Sequence, residues 1–383
     1  MRMQRYTIGV TTDFGLEAVT QRELRDVLGI AKAPADNGML TFEGTAEDIV
    51  RCNMYLRTAE RVFVVVGAKE NVTTFDDLFD FVESLPWAAY LPEDARVHVH
   101  GKSAQSVLYG VPACQSITKK AIVVALKKAY RTPVIEESGV EYDVTVRLTK
   151  DKALLLIDTS GVGLHKRGSR NLVGEAAIKE TMAAGLLLLS VWNPQKPLVD
   201  PFCGSGTIPI EAALMARNVA PGLRRTHACD SWTGFDSISR TVREEAQARI
   251  RQGGDLRIAG FDVDPAAVKL SRTHAANAGV ADDVHFQCMD MREVRSSHPY
   301  GVIVTNPPYG ERLLDDRQVD TLMRDFWQVY VALPDWSLYL ISAYPFLEQA
   351  FGRKADKNRK MYNGKIQCRL YQYMGKKPPK SNV

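Results

Sequence analysis

Between residues 198 and 342 the sequence repeats one unit: a short apolar run, a turn rich in glycine or proline, then apolar residues at helical spacing. Residues 198–200 read as a strand and 207–216 as a helix. The same pairing recurs at 257–262 and 265–278, and again at 301–305 and 320–329, before a late strand at 336–342. Strands that alternate with helices run parallel, because each crossover carries a helix across a face of the sheet. The second half of the chain is therefore predicted to be a doubly wound, mostly parallel α/β sheet. Such sheets bind ligands beyond the carboxyl ends of their strands, where the strand order reverses. The turns that follow strands are the places to look for chemistry.

The first half has a different pattern and reads as α+β. Strands are predicted at 6–10, 39–42, 61–66, 96–100, 142–148 and 153–158. Helices are predicted at 15–28, stopped by Gly29, at 75–85, stopped by Pro86, and at 115–130. Residues 159–168 hold three glycines and no periodicity, which puts a boundary near residue 160. A chain of 383 residues accommodates two or three domains, and 45% hydrophobic with 25% charged residues is the mix of an ordinary globular protein.

Charge is unevenly placed. Residues 1–165 hold 19 basic and 22 acidic side chains, whereas 166–383 hold 30 and 23. Residues 353–383 alone carry ten basic side chains and one acid, either to meet phosphates or simply as a solvated terminus. The longest apolar stretch, 183–192, is about half the length a membrane helix needs. The N-terminus shows no signal-peptide core. Six cysteines, none in a CxxC pair, suggest neither a zinc site nor a disulfide framework, so a reducing cytoplasm is expected.

Three motifs fall at predicted strand ends. Asp200-Pro201-Phe202-Cys203-Gly204-Ser205-Gly206-Thr207 joins a strand to a helix. Its glycines allow a tight turn and close approach of a ligand, and the helix offers free N–H groups. It is neither a P-loop nor a full dinucleotide fingerprint, since no GK[ST] follows and Pro209 stands at the third glycine position. Next, Gly260-Phe261-Asp262-Val263-Asp264 ends a strand with an acid placed for a ribose diol. Asp264, just before Pro265, reads either as a second ligand or as a helix cap. Asp290 ends the stretch 285–290 and could meet an adenine amine.

The third motif, Asn306-Pro307-Pro308-Tyr309-Gly310, follows the strand 301–305 directly. Two prolines remove two N–H donors and leave acceptors: the Asn306 side-chain oxygen and the Pro307 carbonyl. With the Tyr309 ring, that set suits a planar base bearing an exocyclic amine. Cys203 reads as a small loop residue rather than a nucleophile. The histidines, including His98 and His100, show no ligand-like spacing, and no metal is called for.

Together these motifs resemble the class I S-adenosylmethionine-dependent amino-methyltransferases, with the strand order unpermuted. Over the whole chain the sequence is similar to the THUMP-containing 23S rRNA guanine-N2 methyltransferases, in their short, single-methyltransferase form. The resemblance implies an RNA-capture module at 1–160, ferredoxin-like and then THUMP (core about 45–157), and a Rossmann-like methyltransferase domain at 161–383. It implies S-adenosylmethionine held by Asp200, Phe202, Gly204, Ser205, Gly206, Thr207, Asp262 and Asp290. Asn306, Pro307, Pro308 and Tyr309 would grip the target base, with Asn306 also close to the cofactor. Glu180 either positions the methionine part or is a solvated helix residue. The linker 164–170 matches the family except at Ser169, where a tyrosine is expected, and it leaves Arg167 and Arg170 as cofactor or RNA contacts.

Lys119, Lys120, Lys127, Lys128 and Arg131 on the helix 115–130 could grip a phosphate backbone, contributing affinity rather than sequence choice. The expected partner is RNA, 23S rRNA or a ribosomal assembly intermediate, with no membrane. Two other readings stay open: an adenine-N6 methyltransferase, because the same acceptors suit that amine, and a non-catalytic RNA-binding or assembly protein.

Overall fold

A computed structural model describes residues 4–169, 178–308, 316–364 and 366–377. The first half runs β1 (Tyr6–Thr12), α1 (Glu17–Leu28), β2 (Ala35–Asp36), β3 (Met39–Gly44), α2 (Ala46–Tyr55), β4 (Ala59–Lys69), α3 (Phe75–Glu83), β5 (Arg96–Ala104), α4 (Val111–Tyr130), β6 (Glu141–Thr149) and β7 (Lys152–Asp158). These strands form one seven-stranded sheet in the order β2-β3-β1-β4-β7-β6-β5. Only β5 and β6 run parallel; β4 and β7 pair antiparallel and join the first part of the module to the second. Helix α2 was not anticipated from the sequence. It starts at a reciprocal cap, Thr45 accepting from the Asp48 N–H while Asp48 accepts from that of Thr45.

The second half runs α5 (Glu180–Leu189), β8 (Leu198–Asp200), α6 (Thr207–Ala216), α7 (Asp236–Ala248), β9 (Ile258–Asp262), α8 (Pro265–Ala278), β10 (His285–Cys288), β11 (Val302–Thr305), α9 (Asp316–Val331), β12 (Ser337–Ser342), α10 (Leu347–Ala350), β13 (Lys357–Asn363) and β14 (Ile366–Tyr373). Its sheet has the order β10-β9-β8-β11-β12-β14-β13, parallel from β10 to β12. The expected doubly wound architecture is present. Val302, Ile303 and Val304 on the central strand β11 are fully buried, each contributing about 1.5–3 kcal/mol of burial.

The basic C-terminal stretch is not simply a solvated tail. Strands β13 (Lys357–Asn363) and β14 (Ile366–Tyr373) pair antiparallel, and β14 pairs with β12. Basic side chains alternate there with Met361, Cys368, Leu370 and Tyr373, all of which lie inside. Tyr371 and Tyr373 are core residues.

The two halves share a core. Ala220, Cys229, Trp232, Phe235, Val242 and Ala246, from α7 and the segment before it, belong to the hydrophobic cluster of the N-terminal module. Trp232 stacks on Tyr142 at 4.8 Å, the Gly222 N–H donates to the Met54 carbonyl at 3.0 Å, and Arg51 pairs with Glu245 at 2.8 Å. Among the described residues no helix is long and apolar enough to cross a membrane.

Candidate active site

Strand order reverses between β8, whose next neighbour is β9, and β11, which continues to β12. Four adjacent strand ends meet at this switch point, carrying Asp290, Asp262, Asp200 and Asn306 in spatial order. The sequence motifs far apart in the chain are thus brought to one edge.

The glycine loop is held from two sides. The Cys203 N–H donates to the Phe261 carbonyl at 2.9 Å, and the Gly204 N–H donates to Asp262 Oδ2 at 2.9 Å. Buried His274, on α8, meets the Ser205 carbonyl through Nδ1 at 3.1 Å. Gly206 has φ +82°, and a Cβ there would strike the Phe286 ring at 2.8 Å and Ser271 Cβ at 2.9 Å. Gly204 has φ +52°, yet a Cβ on it would meet nothing within 4 Å. Gly206 is therefore fixed by packing, whereas Gly204 faces open space that a flat ligand can approach.

Each acid has a distinct setting. Asp262 is half-buried; its second oxygen accepts from the Asp264 N–H at 3.0 Å, and further lone pairs remain for a diol. Asp264 is the helix cap, accepting from Ala266 N–H at 2.8 Å with Pro265 in the first turn. Asp290 accepts from the Arg292 backbone at 2.8 Å and its guanidinium at 2.9 Å, so this carboxylate is partly committed before any ligand arrives. Asp200 is 2% exposed and accepts the Thr305 hydroxyl at 2.6 Å and the Phe202 N–H at 3.2 Å. Burial pushes its pKa up to about 7, against the pull of the Thr305 hydrogen bond. Asp200 thereby ties the glycine loop to the residue just before Asn306.

Asn306 closes the row. Its side-chain oxygen is buried and has no hydrogen-bond partner among the described residues. A buried acceptor left unmet costs about 1–3 kcal/mol, so this oxygen is suited to a donor from a bound ligand. Pro307 is buried and Pro308 half-buried beside it. Phe202 packs edge-on against Phe326 at 5.3 Å, Ser205 and Thr207 are buried at the start of α6, and Glu180 is buried at the start of α5. Tyr309 and Arg170 lie outside the described residues. Burial drives the Cys203 thiol pKa far upward, so Cys203 is protonated and no thiolate nucleophile.

Arg167 requires correction as a contact for RNA or cofactor. It is 5% exposed, pairs with Glu211 at 3.1 Å, and donates to the carbonyls of Leu164 at 2.8 Å and Arg57 at 2.6 Å. It is an internal tie between linker, N-terminal module and α6. On α4, Lys119 is paired with Glu137 and Lys128 with Glu83, while Lys120 lies over the Phe79 ring at 5.9 Å. Lys127 and Arg131 have no acidic partner among the described residues. His98 and His100 sit against Glu141 and Asp143 of β6, at 3.7 and 2.8 Å.

Sequence reading missed Thr305 and His274. Thr305 adjoins Asn306, and a hydroxyl at the end of an otherwise aliphatic strand is a weak signal. His274 offers none, being one histidine on an amphipathic helix.

Residues 167–372 match the family described as RMKL-like, methyltransferase domain; residues 7–63 match the RlmL ferredoxin-like domain and residues 72–158 the THUMP domain. A Bacillus subtilis protein named "Putative RNA methyltransferase YpsC" is 42% identical over 380 residues, 98% of each chain. The crystal structure of "SMU.472, a putative methyltransferase complexed with SAH" superposes with a TM-score of 0.93 at 40% identity, over 99% of this chain and 100% of that one. A Listeria monocytogenes structure, named as a "predicted N6-adenine-specific DNA methylase", gives 0.91 at 42% identity over 97% of both chains.

Proposed function

The chain belongs to the RMKL-like methyltransferase family, and from that premise we propose that it transfers a methyl group from S-adenosylmethionine to an exocyclic base amine of RNA, guanine N2 in 23S rRNA. The observation that carries this reading is the buried side-chain oxygen of Asn306 at the end of β11, which has no hydrogen-bond partner among the described residues. The THUMP and ferredoxin-like segments before residue 160 support RNA, free or in a ribosomal particle, as the substrate.

The residues present fit the cofactor. Gly204 has open space above it, Asp262 keeps acceptor capacity for ribose hydroxyls, and Asp290 stands one strand further for the adenine amine. Buried Asp200 supplies negative charge beside the loop once ionised. Bound there, S-adenosylmethionine supplies an electrophilic methyl group on a sulfonium.

The protein's task is placement. An aromatic amine is a poor nucleophile because its lone pair is delocalised into the ring. Asn306 Oδ1 and the Pro307 carbonyl accept its two N–H bonds, which favours pyramidal nitrogen and turns the lone pair toward the methyl carbon. With the cofactor bound over the glycine loop, these acceptors would hold the amine for displacement of the methyl group from sulfur, and the proton lost by the amine would pass to solvent. Orientation of the two reactants supplies most of the acceleration. A base within a helix cannot reach this edge, so the target nucleotide is unpaired or flipped out.

Asn306→Ala tests the reading. Turnover should fall about a hundred- to a thousandfold, the effect of losing one transition-state contact, while S-adenosylmethionine affinity stays near that of the parent. Nucleoside mass spectrometry of rRNA from a strain lacking the gene should show loss of N2-methylguanosine at one position. Loss of N6-methyladenine instead, in RNA or DNA, would assign the site to the other amine.

A further inference from the structure

The N-terminal sheet has two unlike faces. On one, Ile8, Val10, Val62, Val64, Val144, Val146, Leu155 and Ile157 share a core with residues of α1, α2, α3 and α4. On the other, Met39, Phe63 and Leu156 form a small cluster with Val65 and Leu154, made only of strand residues. No described helix takes part in it.

Cations gather on this second face. Lys102 of β5 lies directly opposite Arg147 of β6 in the parallel register. Neither has an ion-pair partner among the described residues. Arg61 of β4 is near them, bound to Asp158 and to the Gly161 carbonyl of the linker. Partial desolvation of the otherwise exposed Lys102 side chain, and then the neighbouring Arg147 and Arg61, hold its pKa below the ordinary value against the pull of Asp158; burial alone does so for Arg147. Lys102 and Arg147 repel one another while the nearby Asp158 is already paired with Arg61, and an anion would relieve both.

The apolar residues here are already hidden: Met39 is 9%, Phe63 4% and Leu156 0% exposed. Around Lys102 and Arg147 what reaches solvent is cationic, which fits a phosphate, while toward the start of β5 and β6 Glu141 and Asp143 are set against His98 and His100. On the helical side Lys119 and Lys128 of α4 are neutralised by Glu137 and Glu83, which leaves Lys127 and Arg131 as its cations without an acidic partner among the described residues and makes α4 the rival surface to test.

We propose that the RNA backbone lies on this helix-free face, with Lys102 and Arg147 each holding a phosphate. The assignment rests on RNA being the substrate. Strand β7 runs from Lys152 at the far end to Asp158 at the linker, so a backbone laid along it leads toward the methyltransferase half.

Filter binding of in vitro transcribed 23S rRNA to the full chain tests this across a salt series. Lys102→Gln/Arg147→Gln should weaken binding about tenfold at low salt, and should lower the log–log salt slope by about 1.4–1.8, two phosphate contacts' worth. Lys102→Glu, at an exposed position with no partner to lose, should weaken binding without disturbing the fold. Lys127→Gln/Lys128→Gln on α4 should change affinity less than about twofold. Calorimetry should give unchanged S-adenosylmethionine affinity for all three. If the parent binds RNA and both Lys102 variants bind equally well, this surface is wrong and the substrate reading stands. If the parent binds no RNA, the substrate reading falls and the surface with it.

Discussion

Asp200→Asn should change how stability depends on pH. Asp200 is 2% exposed, and burial raises its pKa from the ordinary 3.8 to about 7. In the unfolded chain the carboxyl ionises near pH 4; in the folded chain it keeps its proton until about pH 7. Between those values the folded state holds a proton that the unfolded state lacks, so stability falls as pH rises. The full fall is set by a separation of about three units at 1.36 kcal/mol each, or about 4 kcal/mol. Asparagine has no such titration, and its side-chain oxygen can still accept the Thr305 hydroxyl that lies 2.6 Å from Asp200. The variant should therefore gain on the parent steadily from pH 4.5 to 7 and then level off. Any constant cost of the amide cancels, because the difference is read against pH. Thermal and urea midpoints measured at half-unit intervals check it. Parallel curves for the two proteins across that window would refute the raised pKa and the role given to burial.

Asp262→Ala should weaken S-adenosylmethionine binding by roughly 1.5–3 kcal/mol, about ten- to 150-fold, because the carboxylate is the proposed partner of the ribose diol and also holds the Gly204 N–H. Calorimetry that shows an unchanged dissociation constant would remove Asp262 from the site. Arg167→Met breaks a buried pair and strands Glu211, which should cost about 3–5 kcal/mol and lower the melting temperature by about 6–20 °C. Arg167→Met/Glu211→Met should recover most of that loss. RNA affinity of the folded single variant should be unaffected, and a selective loss of RNA binding would contradict the internal role.

Much of the site was legible because it is written in local terms. A glycine turn between strand and helix, an acid before Pro265, and two prolines closing an aliphatic strand each announce themselves within a few residues. What stayed hidden depends on partners distant in the chain. Asp200 meets Thr305 across 105 residues and Asp262 meets Gly204 across 58, and neither pairing leaves a periodic trace. Arg167 reads as a surface cation until Glu211 is seen beside it. The β13–β14 pair was obscured by its lysines and arginines, which face outward while the alternate residues fill the core. Helix α2 does carry a local signal, Thr45 and Asp48 three apart, that the hydrophobic pattern alone did not reveal.

The shared core also governs the order in which the protein can form during synthesis. The strands of the N-terminal module are complete when Asp158 leaves the ribosome, but one wall of its core, Trp232, Phe235, Val242 and Ala246, is encoded up to 88 residues later. At about 5–20 residues per second the nascent module waits roughly 4–18 s with that wall open. A fragment ending at Asp158 would be left in the same condition permanently, and one beginning at Thr159 would carry the wall with nothing to cover. The core of the first module thus closes only once residue 246 has been made, still ahead of Asp262, Asp290 and Asn306 at the strand ends of the second sheet.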